Sequence, residues 1–119
     1  MLEKHFSEKG KIDMEIKDKI KLIADTYGYD AQSRQCIEEM AELTQAINKF
    51  WRKGLDCGKR EQPNGEKYIN MNYTFDNLVE EIADVQIMLW QMEYLLNTDV
   101  SLIIEQKLDR QLERIKSEE

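Results

Sequence analysis

The sequence predicts an all-α protein whose four helices form a bundle, with a long loop between the second and third helices. Apolar residues recur at helical spacing in four separate segments. The only proline, Pro63, and three of the five glycines (Gly54, Gly58 and Gly65) fall together near the middle of the chain. The two other connections are short, which is typical of antiparallel neighbours in a helix bundle.

Each helix has a start or stop signal of its own. The first predicted helix spans about residues 12–27. The second runs from a cap at Asp30 or Ser33 to about Trp51, the third spans about 74–96 and the fourth about 100–116. Gly28 ends the first, because glycine readily takes the left-handed conformation at a helix C-terminus. Thr74 is a suitable cap for the third. Residues 52–73 are predicted to be a loop, with strand or turn structure left open at 67–71; a loop this long is often functional.

Length and charge limit the classes of protein to consider. The 119 residues suit one domain, residues 1–119 with a core of about 12–116, and so short a chain gains from forming a homodimer or homotetramer. A formal net charge of −7 argues against binding a nucleic-acid polymer, which needs a basic face. With neither a signal-peptide pattern at the start nor a long apolar run, we expect a cytoplasmic protein that does not bind membranes.

The third predicted helix carries acids on an apolar stripe. Its side chains are apolar on nearly every side, so we expect it to be buried. Glu81 lies seven residues before Met88 and Asp84 lies four before it, so both acids face partly inward. Burying an unpaired carboxylate costs several kcal/mol, and residues 74–98 contain no lysine or arginine. Any compensating charge must therefore come from elsewhere.

The second predicted helix repeats the anomaly with Glu39 and Glu42. Both helices contain Glu-Glu-x-x-(Glu/Asp), at 38–42 and at 80–84. A set of carboxylates alone selects a hard cation, Mg²⁺, Mn²⁺ or Ca²⁺, and of these we expect Mg²⁺ with Mn²⁺ as a substitute. A di-iron bundle would need a Glu-x-x-His motif on two helices, whereas the only histidine is His5. We therefore expect a magnesium site.

These motifs resemble those of the MazG-like family of all-α nucleotide pyrophosphohydrolases, over about residues 15–115. That family has Glu-Glu-x-x-Glu on one helix and Glu-x-x-Asp on the next, matched here by 38–42 and by 81–84. The resemblance implies hydrolysis of a nucleoside triphosphate to the monophosphate and pyrophosphate. It assigns the metal to Glu39, Glu42, Glu81 and Asp84. It gives Glu38, supported by Glu80, the role of positioning or activating the attacking water.

The same resemblance suggests where the substrate binds. In the family stretch Lys-x-x-x-Asn-x-x-Arg, Lys107 and Arg114 match, and Gln111 stands where asparagine is usual. Arg110 in that stretch and Gln35, one turn before Glu39, complete the predicted substrate contacts. Trp51 and Trp90 are expected to be core residues rather than platforms for a base.

Two alternatives of another class stay open. One is a non-catalytic helical module that assembles with other proteins through its apolar faces, with acids that only keep it soluble. The other is a nucleotide-binding regulator that keeps the metal site but does not hydrolyse its ligand. Incubation with nucleoside triphosphates and Mg²⁺, with pyrophosphate measured, distinguishes the three interpretations.

Overall fold

The protein is all-α, as the sequence predicts. The computed structural model describes the backbone at residues 5–6, 12–59 and 66–118, and side-chain surroundings at 14–53 and 73–118. Its elements are β1 (His5–Phe6), β2 (Ile12–Asp13), α1 (Ile16–Lys59), α2 (Glu66–Leu95) and α3 (Ser101–Glu118). The two short strands pair antiparallel, so residues 12 and 13 precede the first helix instead of beginning it. The last helix agrees with its prediction within two residues.

Gly28 divides α1 into two arms. Its φ of 84° and ψ of 171° are non-helical and lie in a region that almost only glycine occupies. A Cβ atom built there would meet nothing within 4 Å, so backbone conformation, not crowding, requires the glycine. The predicted break between the first two helices is therefore confirmed, although the two arms follow each other without a loop.

The predicted loop at residues 52–73 is wrong for most of its length. Helix α1 continues to Lys59 and α2 begins at Glu66, so the strand considered at 67–71 is helical instead; residues 60–65 lie outside the described part. Gly54 and Gly58 lie inside α1, because one glycine costs a helix only about 1 kcal/mol. Thr74 is an interior, buried residue of α2 and not its cap.

Helices α1 and α2 pack along a regular seam. The second arm of α1 and the facing side of α2 place seam residues at alternating steps of four and three, the spacing of interlocking antiparallel helices. On α1 these residues are Gln32, Cys36, Glu39, Leu43, Ala46 and Phe50. On α2 they are Thr74, Leu78, Glu81, Val85 and Met88. At one end, the rings of Phe50 and Phe75 lie 6.0 Å apart between centroids.

Helix α3 takes no part in this packing. Every residue of α3 is exposed, and among the described elements it packs on neither α1 nor α2. The four-helix bundle is thus not confirmed within one chain, since the described helices form a packed pair and a separate third helix. The Cα radius of gyration is 19.8 Å, against about 13.5 Å for a compact domain of this length.

The expectation that the third predicted helix is buried is also wrong within one chain. Trp90 is 42% exposed and Phe75 52%, and Trp51 on α1 is 65% exposed, so neither tryptophan is a core residue. The reason is that α2 has one packing partner, and a helix that is apolar on several sides needs more than one. Over the residues described, no helix combines the length and the apolar character needed to cross a bilayer.

Candidate metal centre

Two seam positions hold carboxylates where the pattern calls for apolar side chains. Glu39 stands between Cys36 and Leu43 in the α1 series, and Glu81 stands between Leu78 and Val85 in the α2 series. Both are half-buried. The antiparallel packing therefore directs two acids at each other across the helix pair, where each loses part of its hydration.

Asp84 joins them to form the acidic cluster, which we define as Glu39, Glu81 and Asp84. One carboxylate oxygen from each residue lies within 4.8 Å of the other two. Glu39 Oε2 and Glu81 Oε2 are buried and have no hydrogen-bond partner. Within the described residues no lysine or arginine forms an ion pair with the cluster. No described side chain therefore supplies a positive charge to offset the repulsion among the three carboxylates.

Glu42 borders the cluster and responds to it. Repulsion from Glu39 and Glu81 raises the pKa of Glu42, and the loss of hydration beside the cluster acts in the same direction. Burial raises the pKa of Asp84, with repulsion from Glu39 and Glu80 adding to the effect. Both shifts mean that negative charge at this point of the helix pair is costly.

Gln35 supports the cluster from one turn away. Its Nε2 donates a hydrogen bond of 2.9 Å to Glu39 Oε1. That bond satisfies one oxygen of Glu39 and leaves the buried Oε2 as the atom without a partner. Glu38 and Glu80, the predicted catalytic acids, are exposed and flank the cluster, and Glu80 is close enough to repel Asp84.

The predicted substrate contacts on α3 lie elsewhere. Lys107, Arg110, Gln111 and Arg114 are exposed, and their helix packs on neither helix of the cluster. The one contact among them is a 3.1 Å hydrogen bond that Arg114 donates to Gln111 Oε1. A single chain thus brings three of the four predicted metal ligands together, with Glu42 and Gln35 beside them, and leaves the four predicted α3 residues apart from them.

A second buried polar pair was not predicted from the sequence. Gln32 Nε2 donates a 2.8 Å hydrogen bond to Gln91 Oε1, and both residues are more than 90% buried. Gln32 precedes Glu39 by seven residues and Gln91 follows Asp84 by seven, so the pair lies two turns from the cluster on both helices. Gln32 stands at a seam position, which is the sequence signal for its burial, whereas Gln91 follows Met88 by three residues where the alternation calls for four.

Comparison with known proteins adds no further assignment. No protein-family model, no curated protein and no solved structure matches this chain. The function must therefore be argued from the site itself.

Proposed function

We propose that the protein is a cytoplasmic, Mg²⁺-dependent nucleoside triphosphate pyrophosphohydrolase of the MazG-like type. It would convert a nucleoside or deoxynucleoside triphosphate and water to the monophosphate and pyrophosphate. Clearance of unwanted nucleotides is a suitable role for such an activity.

One observation carries the proposal. Among the residues whose side chains are described, two buried carboxylate oxygens, Glu39 Oε2 and Glu81 Oε2, have no partner, and their cluster has no opposite charge beside it. A buried charged group left unpaired is costly, and such groups are normally protonated, paired or bound to a metal. A divalent cation would satisfy both oxygens and offset the repulsion at once.

The donor set fits Mg²⁺ or Mn²⁺. The residues that would hold the ion are Glu39, Glu81 and Asp84, with Glu42 at the border; all are oxygen donors, which hard cations prefer. When bound, Mg²⁺ would neutralise phosphate charge and would lower the pKa of a water molecule coordinated to it.

The remaining roles fall to neighbouring side chains. Gln35, by holding Glu39 Oε1, would orient that carboxylate so that Oε2 faces the cluster. Glu38 and Glu80 are exposed beside the cluster, where a carboxylate can accept a proton from the attacking water. The proposal needs no covalent nucleophile, because positioning and charge stabilisation account for most of phosphoryl-transfer catalysis.

Substrate phosphates would be held by α3 once a bundle forms. Helix α2 ends at Leu95 and α3 begins at Ser101. If α3 lay antiparallel along α2, a residue of α3 and a residue of α2 that are equally far from the connection at 96–100 would lie at the same height along the two helices. Gln111 and Arg114 would then stand beside Asp84 and Glu81, with Lys107 and Arg110 one to two turns away. We include this four-helix bundle, assembled as a homo-oligomer, in the proposal.

The direct test is a substrate panel. Purified protein is incubated with the common ribo- and deoxyribonucleoside triphosphates and Mg²⁺, and pyrophosphate is measured. Glu39→Gln should abolish release, while the matched control Asp76→Asn, an exposed acid of α2 outside the cluster, should retain it. Release of inorganic phosphate alone, or full activity of Glu39→Gln, would overturn the proposal.

Metal binding is tested separately by thermal unfolding. Mg²⁺ should raise the melting temperature beyond a potassium control of equal ionic strength, because binding to the folded state stabilises it by about 2.7 kcal/mol at one hundred times Kd. The alternative function is a non-catalytic module that binds nucleotides or proteins, and the many exposed apolar side chains favour it. Metal-dependent stabilisation without pyrophosphate release would select a nucleotide-binding module that keeps the metal site, whereas the absence of both effects would select a protein-interaction module.

A further inference from the structure

We propose that α3 of one copy docks into the apolar groove between α1 and α2 of a second copy. The groove is defined by Ile16, Ile20 and Ile23 of α1 and by Ile87 and Trp90 of α2. This inference gives the proposed homo-oligomer a specific interface and rests on that part of the proposal. It depends on neither metal binding nor hydrolysis.

The groove is a large apolar surface with no covering element among the described residues. It encloses a cavity of about 410 Å³ between the first arm of α1 and the middle of α2, and a neighbouring cavity of about 710 Å³ extends it toward Tyr94. Ile16 is 67% exposed, Ile23 40% and Trp90 42%. An exposed apolar area of this extent marks an interaction site.

Helix α3 presents the complementary shape. Ile104, Leu108, Leu112 and Ile115 recur at steps of three and four, so they form one stripe along the helix. Each of the four is at least half exposed. A helix with one apolar stripe and no packing partner gains stability only by covering that stripe.

The charges beside the stripe match the two walls of the groove. Lys17 and Lys21 line the α1 wall, whereas the charged groups on the opposite wall are Glu93 and Asp99. On α3, the acids Glu105, Asp109 and Glu113 each directly follow a stripe residue, and so does one base, Lys116, near the end of the helix. Lys107 and Arg114 each directly precede one.

Consecutive helical positions are 100° apart, so the three acids flank one side of the stripe, with Lys116 at its end, and Lys107 and Arg114 flank the other side. A docked α3 therefore has one orientation in which its acidic side faces the basic wall and its basic side faces the acidic wall. Such complementarity gives an interface specificity and orientation.

The connection between α2 and α3 indicates a second copy rather than the same chain. Asn97 has a φ of 50°, and the amide of Thr98 donates to the carbonyl of Glu93 at 3.0 Å. Asp99 caps α3 by accepting from the amide of Ser101 at 2.9 Å. This bonded elbow holds α3 away from its own groove, and folding α3 back would require it to rearrange.

The area available suits a stable dimer. In a reciprocal exchange each copy gives one α3 and receives one. Four stripe residues and the four exposed groove residues, Ile16, Ile23, Ile87 and Trp90, at about 100 Å² each and counted for two contacts, bury about 1,600 Å², the size of a standard specific interface.

The test is the solution mass of the full chain, measured by light scattering after size exclusion in the presence of EDTA. The wild type should have twice the chain mass of 14.2 kDa, or a larger even multiple. Leu108→Glu on the stripe and Ile87→Glu in the groove should each be monomeric. Leu102→Glu, an equally exposed α3 residue outside the stripe, should keep the wild-type mass.

Circular dichroism shows whether each variant keeps its helices, and a variant that does not is replaced by Leu112→Gln or Trp90→Gln. A wild type that is monomeric at all concentrations would overturn the proposal, and so would stripe and groove variants that keep its mass. Because EDTA removes divalent metal ions, the measured mass does not depend on metal binding, and failure of the proposed metal site would leave the mass unchanged. A monomer that hydrolyses nucleotides would contradict this interface and the homo-oligomer, but not the proposed hydrolysis.

Discussion

The α1–α2 pair and α3 contain similar kinds of residue but use them differently. In the pair, apolar and polar side chains alternate along a seam where Met88 is 5% exposed and Gln91 2%. In α3, a clean apolar stripe is flanked by charges and no residue is buried. An amphipathic pattern alone therefore does not bury a helix, because its apolar stripe also needs a groove that it can reach.

The largest expected effect concerns truncation of a core side chain. Met88→Ala should lower the free energy of unfolding by about 2–5 kcal/mol, because it removes buried contacts and leaves a cavity. Leu102→Ala on α3 should change it by no more than about 0.5 kcal/mol. Urea denaturation of both variants measures the contrast, and equal losses would show that α3 is as well packed as the pair.

The next effect concerns the buried amide pair. Gln32→Leu should cost about 1–3 kcal/mol, because it leaves Oε1 of Gln91 buried without its donor. Gln32→Leu combined with Gln91→Leu should recover most of that loss, since no polar group is then orphaned. A double-mutant cycle by chemical denaturation gives the coupling energy, and simple additivity would contradict the pairing.

A smaller change of opposite sign is expected in the acidic cluster. Without metal, Glu81→Gln should raise the free energy of unfolding by about 1 kcal/mol, because it removes a buried charge that lacks a partner. The matched substitution Glu113→Gln on α3 should be nearly neutral. Glu81→Gln should also lose the stabilisation by Mg²⁺, so its melting temperature with and without the ion should coincide.

The smallest effect is a difference in pH dependence between the two regions. Because the pKa values of Glu42 and Asp84 are raised, both groups stabilise the folded state at low pH. This stabilisation is lost as the pH rises through the pKa values that the two groups have in the folded protein. The hydrogen bonds from Ser101 lower the pKa of Asp99, so its contribution is present at neutral pH and lost on acidification.

The free energy of unfolding of the metal-free protein, measured at pH values on both sides of about 4, where carboxylates titrate, distinguishes the two opposite pH dependences. The advantage of wild type over Glu42→Gln/Asp84→Asn should fall as the pH rises. The advantage of wild type over Asp99→Asn should grow. Parallel curves for the two comparisons would rule out the opposite shifts.

The sequence was informative where one residue decides the local structure. Gly28 was predicted to interrupt the helix, and its positive φ confirms the interruption. The acids were identified as anomalies from their position on an apolar helix, and the structure brings three of them together. Their roles in metal binding and catalysis stay predictions.

Prediction was less successful where many weak preferences add up. The glycines near residue 56 suggested a loop, but the helical preferences of the surrounding residues outweigh them. The burial of Trp90 was expected from helix pattern, yet it depends on a partner that the pattern does not specify. The Gln32–Gln91 bond joins residues 59 positions apart, and only the register of two helices reveals it.

Gly28 has a consequence for how far α1 reaches. As an unbroken rod, its 44 residues would measure about 66 Å, longer than the 57 Å greatest dimension of the molecule. The turn at this glycine folds the first arm toward α2, where Asp25 accepts a 2.9 Å hydrogen bond from Tyr94. One residue without a side chain thus determines the angle at which the two arms meet. Through that angle it creates the wall that carries Ile16 and Ile20.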